Sequence, residues 1–535
     1  MKYIDVTSMP DIVNVQGAGT WTTLTKRGNT FGGAGFVVKL AKTETSLDIS
    51  LLGQGDISRV TLCWKKEIGS GALILGDHWE RTYGDMDWAG IVPDKDLPWY
   101  FLYSNRKLTH GAGVMTGPNA FCHWRVDARC ITLVLDVRNG GSDMRFAKRT
   151  LELARIVSRK GQSGENAFAA AKAFCTMMCP NPILPEAPVY GANNWYYCYG
   201  ESSEAEVLAD CKLLADTTKE IKNRPFMVID MNWHTPYGDW NKIPRTPWAE
   251  ENPDFPNMSG LAEKMKKMKI RPGLWFRPLI TSCKVPKNLY LKAGRKIAQG
   301  SAEGLMLDPS IPEVLDLIKG YMKDFKDWGY ELVKYDFTSF DILDRWGFQK
   351  PGFTADGWHF KDRSKTTAEI VLDLYRAIKD SAGDMLLIGC NTFSHLAAGL
   401  VHIQRIGDDV SGKEWERTRK MGVNTLAFRL PQHNTFYAAD ADCVAITNKA
   451  SWEHTCLWME LVAESGTPFF VSADPKAMNA AKSKVIAQAY RTFDKSGEIE
   501  PLDWQDTATP SVWRFGDVTR EFDWNDYSQF TYHGL

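Results

Sequence analysis

The sequence predicts an α/β protein built on a (β/α)8 TIM barrel, with an antiparallel β-sandwich before it and a short β appendage after it. Three observations carry this. Between residues 189 and 471, eight short apolar runs alternate with amphipathic helical stretches. Ahead of them, residues 1 to about 150 read as short strands divided by Gly, Asn and Asp clusters. Between the two regions, Pro180, Pro182, Pro185 and Pro188 fall close together and mark a linker.

In the first region, 35–40, 46–51 and 131–137 are alternating or wholly apolar runs, and Asn139-Gly140-Gly141 supplies a turn. A helical stretch covers 165–178. The expected units are 1–180 (sandwich with a linking helix), 181–490 (barrel) and 491–535 (short β segment). Inside the barrel, Ser203 with Glu206 forms a capping box before Val207, Cys211 and Leu214, which share a helix face. Ser310 with Glu313 does the same before Val314, Leu317, Tyr321 and Phe325, and Thr366 with Glu369 opens a third helix. The strand candidates are 189–195, 226–230, 273–276, 332–337, 385–390, 402–406, 425–430 and 468–471. A doubly wound sheet is the rival arrangement for the same rhythm. In the tail, 512–515 and 520–524 flank a Gly516-Asp517 turn.

Composition narrows the function. The 535 residues include 64 Lys+Arg against 65 Asp+Glu, a net charge of −1. That balance argues against gripping nucleic acid or anionic membranes. No run of 18 uninterrupted apolar residues predicts a membrane span. Asp5 stands where a signal peptide would be apolar. Eleven cysteines without C-x-x-C spacing read as reduced thiols, which points to the cytoplasm. Ten histidines show no zinc-ligand grouping, so no metal is expected. The 20 Trp, 18 Tyr and 25 Phe lean towards carbohydrate, because flat rings suit sugar faces as well as large cores.

A barrel places its active site at the C-terminal ends of the strands, so the polar residues there matter most. Strand one ends Asn193-Asn194-Trp195, two ends Asp230-Met231-Asn232-Trp233, and three ends Trp275-Phe276-Arg277. Strand four ends Lys334-Tyr335-Asp336, five ends Cys390-Asn391, and six ends Arg405-Ile406-Gly407-Asp408-Asp409. Lys334 and Asp336, two apart, point to one side of an extended strand, where a cation keeps a nucleophilic carboxylate ionised. In the Asp408-Asp409 doublet, like charge is expected to raise one carboxyl's pKa, as a proton donor requires. Two opposed carboxylates among aromatic walls suit glycoside hydrolysis. Plainer readings stand beside these. Lys334 with Asp336 reads equally as a structural ion pair, the doublet as a turn or helix cap, and Trp195, Trp233 and Trp275 as core. Aspartates at a barrel mouth also suit a metal.

Together these strand ends resemble the α-galactosidases of glycoside hydrolase family 36, over most of residues 71–105 and 189–472. Lys334-Tyr335-Asp336-Phe337 is similar to the family's nucleophile strand. Arg405-Ile406-Gly407-Asp408-Asp409, with Trp415 following, is similar to its acid/base segment. The resemblance implies Asp336 as nucleophile, Asp409 as acid/base, and Lys334 and Arg405 as substrate partners. It implies sugar-binding roles for Asp230, Trp233, Trp275, Cys390, Asn391 and Trp195 too, with a strand-two segment running on to Gly238-Asp239-Trp240. Residues 79–88 resemble a sandwich loop that reaches over the barrel mouth, which would bring Trp88 to the substrate. Family members often form homo-oligomers, and none of this chemistry needs a cofactor.

Three departures qualify the substrate. Met231 replaces an expected aspartate that holds galactose hydroxyls, a loss of about 1.5–3 kcal/mol per charge-assisted hydrogen bond. Arg277 stands where many members carry an acid, and the tail is too short for a full C-terminal sandwich. The reading is therefore a retaining α-glycosidase for terminal α-galactosides. The alternatives are a raffinose-synthase-like transferase, a hydrolase for α-N-acetylgalactosaminides or β-L-arabinopyranosides, and a non-catalytic carbohydrate-binding protein.

Overall fold

The computed structural model describes residues 2–231, 233–234, 252–280, 285–291, 306–347 and 354–525. Its N-terminal part is a sandwich of a six-stranded and an eight-stranded antiparallel sheet. Strand alternation dictates the layer. In Phe36–Lys42, Phe36, Val38 and Leu40 are buried while Val37, Lys39 and Ala41 are exposed. The long strands Ser46–Ile57 and Met144–Arg159 pair along most of their length, with register shifts at Phe146/Arg149 and Glu152/Ala154. The following helix, Ala167–Met178, starts where the Asn166 side chain accepts from the Ala169 N–H. It packs on the strand Thr109–Val114 because Gly111 leaves room for the ring of Phe174: a Cβ on Gly111 would lie 2.5 Å from it.

The next part is a (β/α)8 barrel, all of whose strand pairs are parallel. Strands one to six are Tyr190–Asn193, Phe226–Ile229, Arg271–Phe276, Leu332–Tyr335, Leu386–Gly389 and Ile403–Arg405, and strand eight is Phe469–Ala473. Strand seven differs from expectation. Thr425–Arg429 is a buried helix, and the seventh strand is split into Ala438–Asp440, paired to strand six, and Val444–Ile446, paired to strand eight. The six-residue run 425–430 is too short for its apolar positions to separate buried helix from buried strand, so locally the two read alike. Strand eight pairs with strand one and closes the ring.

The helix Glu204–Thr218 begins at Ser203, and Thr367–Ala382 at a complete Thr366/Glu369 capping box. Ser310, however, does not cap. The helix Pro312–Asp327 starts behind Ile311, with proline at its first turn, and the Ser310 hydroxyl instead accepts from the Asp362 N–H. The tail forms a three-stranded antiparallel sheet of Ile499–Pro501, Val512–Phe515 and Val518–Glu521. The last strand thus begins two residues before the run expected at 520–524. Arg520 ties it to Glu460 and Glu464 of the helix Trp452–Glu464. Among the described residues, no helix is long and apolar enough to cross a membrane.

One loop of the sandwich reaches the barrel mouth. The Thr82 N–H donates to Ile406 O at 3.0 Å and its carbonyl accepts from the Asp408 N–H at 2.8 Å, extending strand six with a residue from the other sheet system. Gly407 lets strand six lie close to the segment behind it, since a Cβ there would fall 2.7 Å from Thr425 Oγ1. Below it, Asp77 and Arg429 form a fully buried ion pair at 2.6 Å.

Candidate active site

Strand four delivers Asp336, and the chain then turns sharply, with Phe337 in the left-handed region at φ 63°. That turn aims the Phe337 N–H back at Asp336 Oδ1, 2.7 Å away. Asn391, itself left-handed at φ 48°, ends strand five and donates Nδ2 to the same oxygen at 2.6 Å. Trp275, at the end of strand three, donates Nε1 to Oδ2 at 3.0 Å. Three donors from three strand ends thus orient one buried carboxylate. Left-handed non-glycine residues cost free energy and persist where the surroundings over-determine them.

Lys334 does not pair directly with Asp336. Its Nζ lies 2.8 Å from Asp230 Oδ2 on strand two, which also accepts from Asn193 Nδ2 at 2.8 Å. Burial disfavours the ammonium, but Asp230 outweighs it and holds Lys334 protonated well above its usual range. Lys334 is also within electrostatic range of Asp336, Asp409, Asp440 and Asp442, so it occupies the middle of the mouth.

On the opposite side, Asp409 lies 3.2 Å from Arg405 and 3.3 Å from Arg81 of the sandwich loop, and its side chain keeps 38% exposure. Arg81 also holds Asp408 at 2.6 Å, and Arg417 holds it at 2.9 Å. The expected rise in a carboxyl pKa from the aspartate doublet is therefore overturned. Burial pushes Asp409 up, but Arg81 and Arg405, with Lys334 and Arg417 behind them, hold it below the usual carboxylate range. The raised carboxyls lie deeper, on the split strand. Asp440 is pushed up to about 6 by burial, with Arg405 opposing and Asp442 adding to it. Asp442, left-handed at φ 81°, accepts from Arg405 at 2.6 Å, from Val410 N at 3.0 Å and from the Tyr196 hydroxyl.

The remaining candidates divide. Cys390 lies within this charge cluster, its thiol pushed up by burial and then by Asp336. Trp195 is half-buried and packs edge-on against Tyr199. Trp233 is buried behind the mouth, its indole N–H donating to Trp275 O at 2.9 Å and its ring against Phe325 and Trp328. Trp88 lies edge-on against Trp504 of the tail, at 5.5 Å. Arg277 is matched by a bidentate bond to the buried Asp341. Asn232 and 238–240 lie outside the described residues. Sequence reasoning alone does not single out Arg81, Asp440 or Asp442, whereas Asn193 stands among the polar ends of strand one. The signal for Arg81 was present in the 79–88 resemblance, whereas nothing local marks the split strand. Among the described residues, no group of His, Cys, Asp and Glu is placed to hold a metal ion.

Three buried polar atoms in this cluster, Arg81 Nε, Asn391 Oδ1 and Arg405 Nε, have no hydrogen-bond partner within the protein.

An α-galactosidase from Thermus thermophilus, solved with p-nitrophenyl α-D-galactopyranoside, superposes with a TM-score of 0.60 at 16% identity, over 96% of this chain and 99% of that one. The family 36 α-galactosidase AgaA of Geobacillus stearothermophilus gives 0.63 at 13% identity, over 94% and 79%. The α-galactosidase of Lactobacillus brevis gives 0.62 at 12%, over 96% and 78%. The chain has the fold of these α-galactosidases. No protein-family model and no curated protein sequence matches it. At such low identity, what the site does rests on its own residues.

Proposed function

We propose that this chain is a retaining α-glycosidase acting on terminal α-galactosides or a close stereochemical variant. The observation that carries the reading is Asp336, a buried carboxylate oriented by Trp275, Asn391 and the Phe337 N–H at the end of a barrel strand. Asp336 attacks the anomeric carbon as the glycosidic C–O bond breaks, and a proton passes from Asp409 to the leaving oxygen. Water then attacks the glycosyl–Asp336 ester, Asp409 takes its proton, and the sugar leaves with its original configuration. In the free protein Arg81 and Arg405 hold Asp409 ionised, the form needed for the second half. For the first half, Asp409 must take up a proton once the substrate is bound. Related folds have been solved with stachyose and raffinose, which fits an oligosaccharide substrate. The cysteines of the described residues are all free, in keeping with a reducing, cytoplasmic setting.

The test is a panel of aryl glycosides (α-galactose, α-N-acetylgalactosamine, β-L-arabinopyranose, α-glucose) with Asp336→Asn alongside. The expected result is release from one sugar, abolished by the substitution, with the first-formed anomer retained by NMR. Inversion, or turnover untouched by Asp336→Asn, overturns the proposal.

A further inference from the structure

The outer face of the six-stranded sheet is polar and partly covered. In Arg59–Trp64 and Ile131–Asp136, the residues Val60, Leu62, Leu133 and Leu135 turn to the core, and Thr61, Val134 and Asp136 turn the other way. These outward residues, with His123, are nonetheless buried. They floor a cavity of about 840 Å³, and its described lining residues all belong to the sandwich rather than to the barrel. That size lies in the range of small-ligand sites, roughly 300–1,000 Å³.

Its chemistry narrows the occupant. The lining cations Arg59, Lys95, Arg125 and Arg138 are balanced by Asp94, Asp96, Asp127 and Asp136, so no net charge calls for a phosphate or a polycation. Several of these groups are held in place by one another. Arg59 donates to Gln16 at 2.7 Å and to Asp136 at 3.2 Å, and Arg125 to Asp96 at 2.7 Å. Arg59 thereby commits only part of its five-donor fork. His123 lies on the cavity wall with neither ring nitrogen hydrogen-bonded, although Nε2 is 3.4 Å from Asp96 Oδ1. Burial keeps this imidazole neutral, its pKa lowered to about 4. At the rim stands Trp21, 48% exposed and the only aromatic among the exposed large apolar side chains of the described residues. An exposed indole beside charge-balanced, fixed polar groups is a stacking platform for a sugar ring.

We propose that this groove is a second saccharide site, which binds a neutral oligosaccharide away from the Asp336 centre and without cleaving it. It stands whether or not the barrel mouth proves catalytic.

The test uses the full chain on an array of neutral gluco-, galacto-, manno- and xylo-oligosaccharides, followed by calorimetric titration of the strongest binder. Trp21→Ala and Arg125→Ala alter side chains that are about half exposed, so both variants are expected to keep the parental melting temperature. Each is expected to weaken binding at least tenfold, while Asp336→Asn leaves it unchanged. Trp21→Ala is also expected to leave hydrolysis of small aryl glycosides unaltered. No binding across the array, or binding indifferent to both Trp21 and Arg125, overturns the proposal. Binding lost in Asp336→Asn alone assigns the sugar to the barrel mouth and overturns it equally.

Discussion

Lys334 Nζ lies 2.8 Å from Asp230 Oδ2, so the cation two residues before Asp336 is bonded to strand two and reaches Asp336 only through its field. Both partners are buried, and leaving either one alone strands an uncompensated charge. Lys334→Met is therefore expected to destabilise the protein by about 3–5 kcal/mol. Adding Asp230→Asn to that variant should recover part of the loss. Urea unfolding of the two singles and the double measures the coupling; strictly additive losses would show that the pair is not a pair.

Trp275 donates one of the three hydrogen bonds that orient Asp336. A bond to a charged group contributes about 1.5–3 kcal/mol. Trp275→Phe keeps the ring but removes the donor, so kcat/KM should fall roughly 10- to 150-fold. Steady-state kinetics on the aryl glycoside found by the panel decides it. An unchanged rate would mean that the Asn391 and Phe337 donors suffice.

Arg81 places a guanidinium 3.3 Å from Asp409, one of the cations that hold its carboxyl below the usual range. Removing a cation raises a neighbouring carboxyl's pKa and keeps the acid protonated to higher pH. Arg81→Gln should therefore move the alkaline limb of the kcat/KM profile upward. A limb that stays in place assigns that titration to another group.

Asp440 binds a proton more tightly folded, at about 6, than unfolded, at about 3.9. Between those values the native state holds more protons, so its contribution is present below the unfolded pKa and is lost as pH rises through about 6. Asp440→Asn should flatten this fall. Melting temperatures from pH 4 to 7.5 compare the two proteins, and parallel curves would exclude Asp440 as the source.

Met231 follows Asp230, where the family resemblance leads one to expect an acid that holds galactose hydroxyls. Met231→Asp should improve kcat/KM for an aryl α-galactoside about tenfold or more, since a thioether cannot form that bond. A loss for galactose with a gain for another panel sugar would redirect the substrate assignment.

What the sequence determined by itself was the architecture and most of the barrel mouth. Alternating runs, capped helices and a proline-rich linker are local signals, and seven of the eight barrel strands fall where they point. A barrel also puts every strand end on one face, so Asp230, Lys334, Asp336, Asn391, Arg405 and Asp409 needed only their place along the chain to be nominated. The tertiary structure alone decided partnership. Arg81 meets Asp409 across 328 residues, and no local pattern encodes a contact made by another sheet system. Lys334 meets Asp230 rather than its neighbour because strands two and four, which flank strand three, both turn these side chains into the barrel mouth. The run at 425–430 is a helix because the split strand 438–446 closes the barrel in its place. Asp409 sits below the usual carboxylate range because Arg81 from the sandwich loop and Arg405 from strand six, with Lys334 and Arg417 behind them, outweigh its burial. Charge balance is a property of surroundings, and surroundings exist only once the chain has folded.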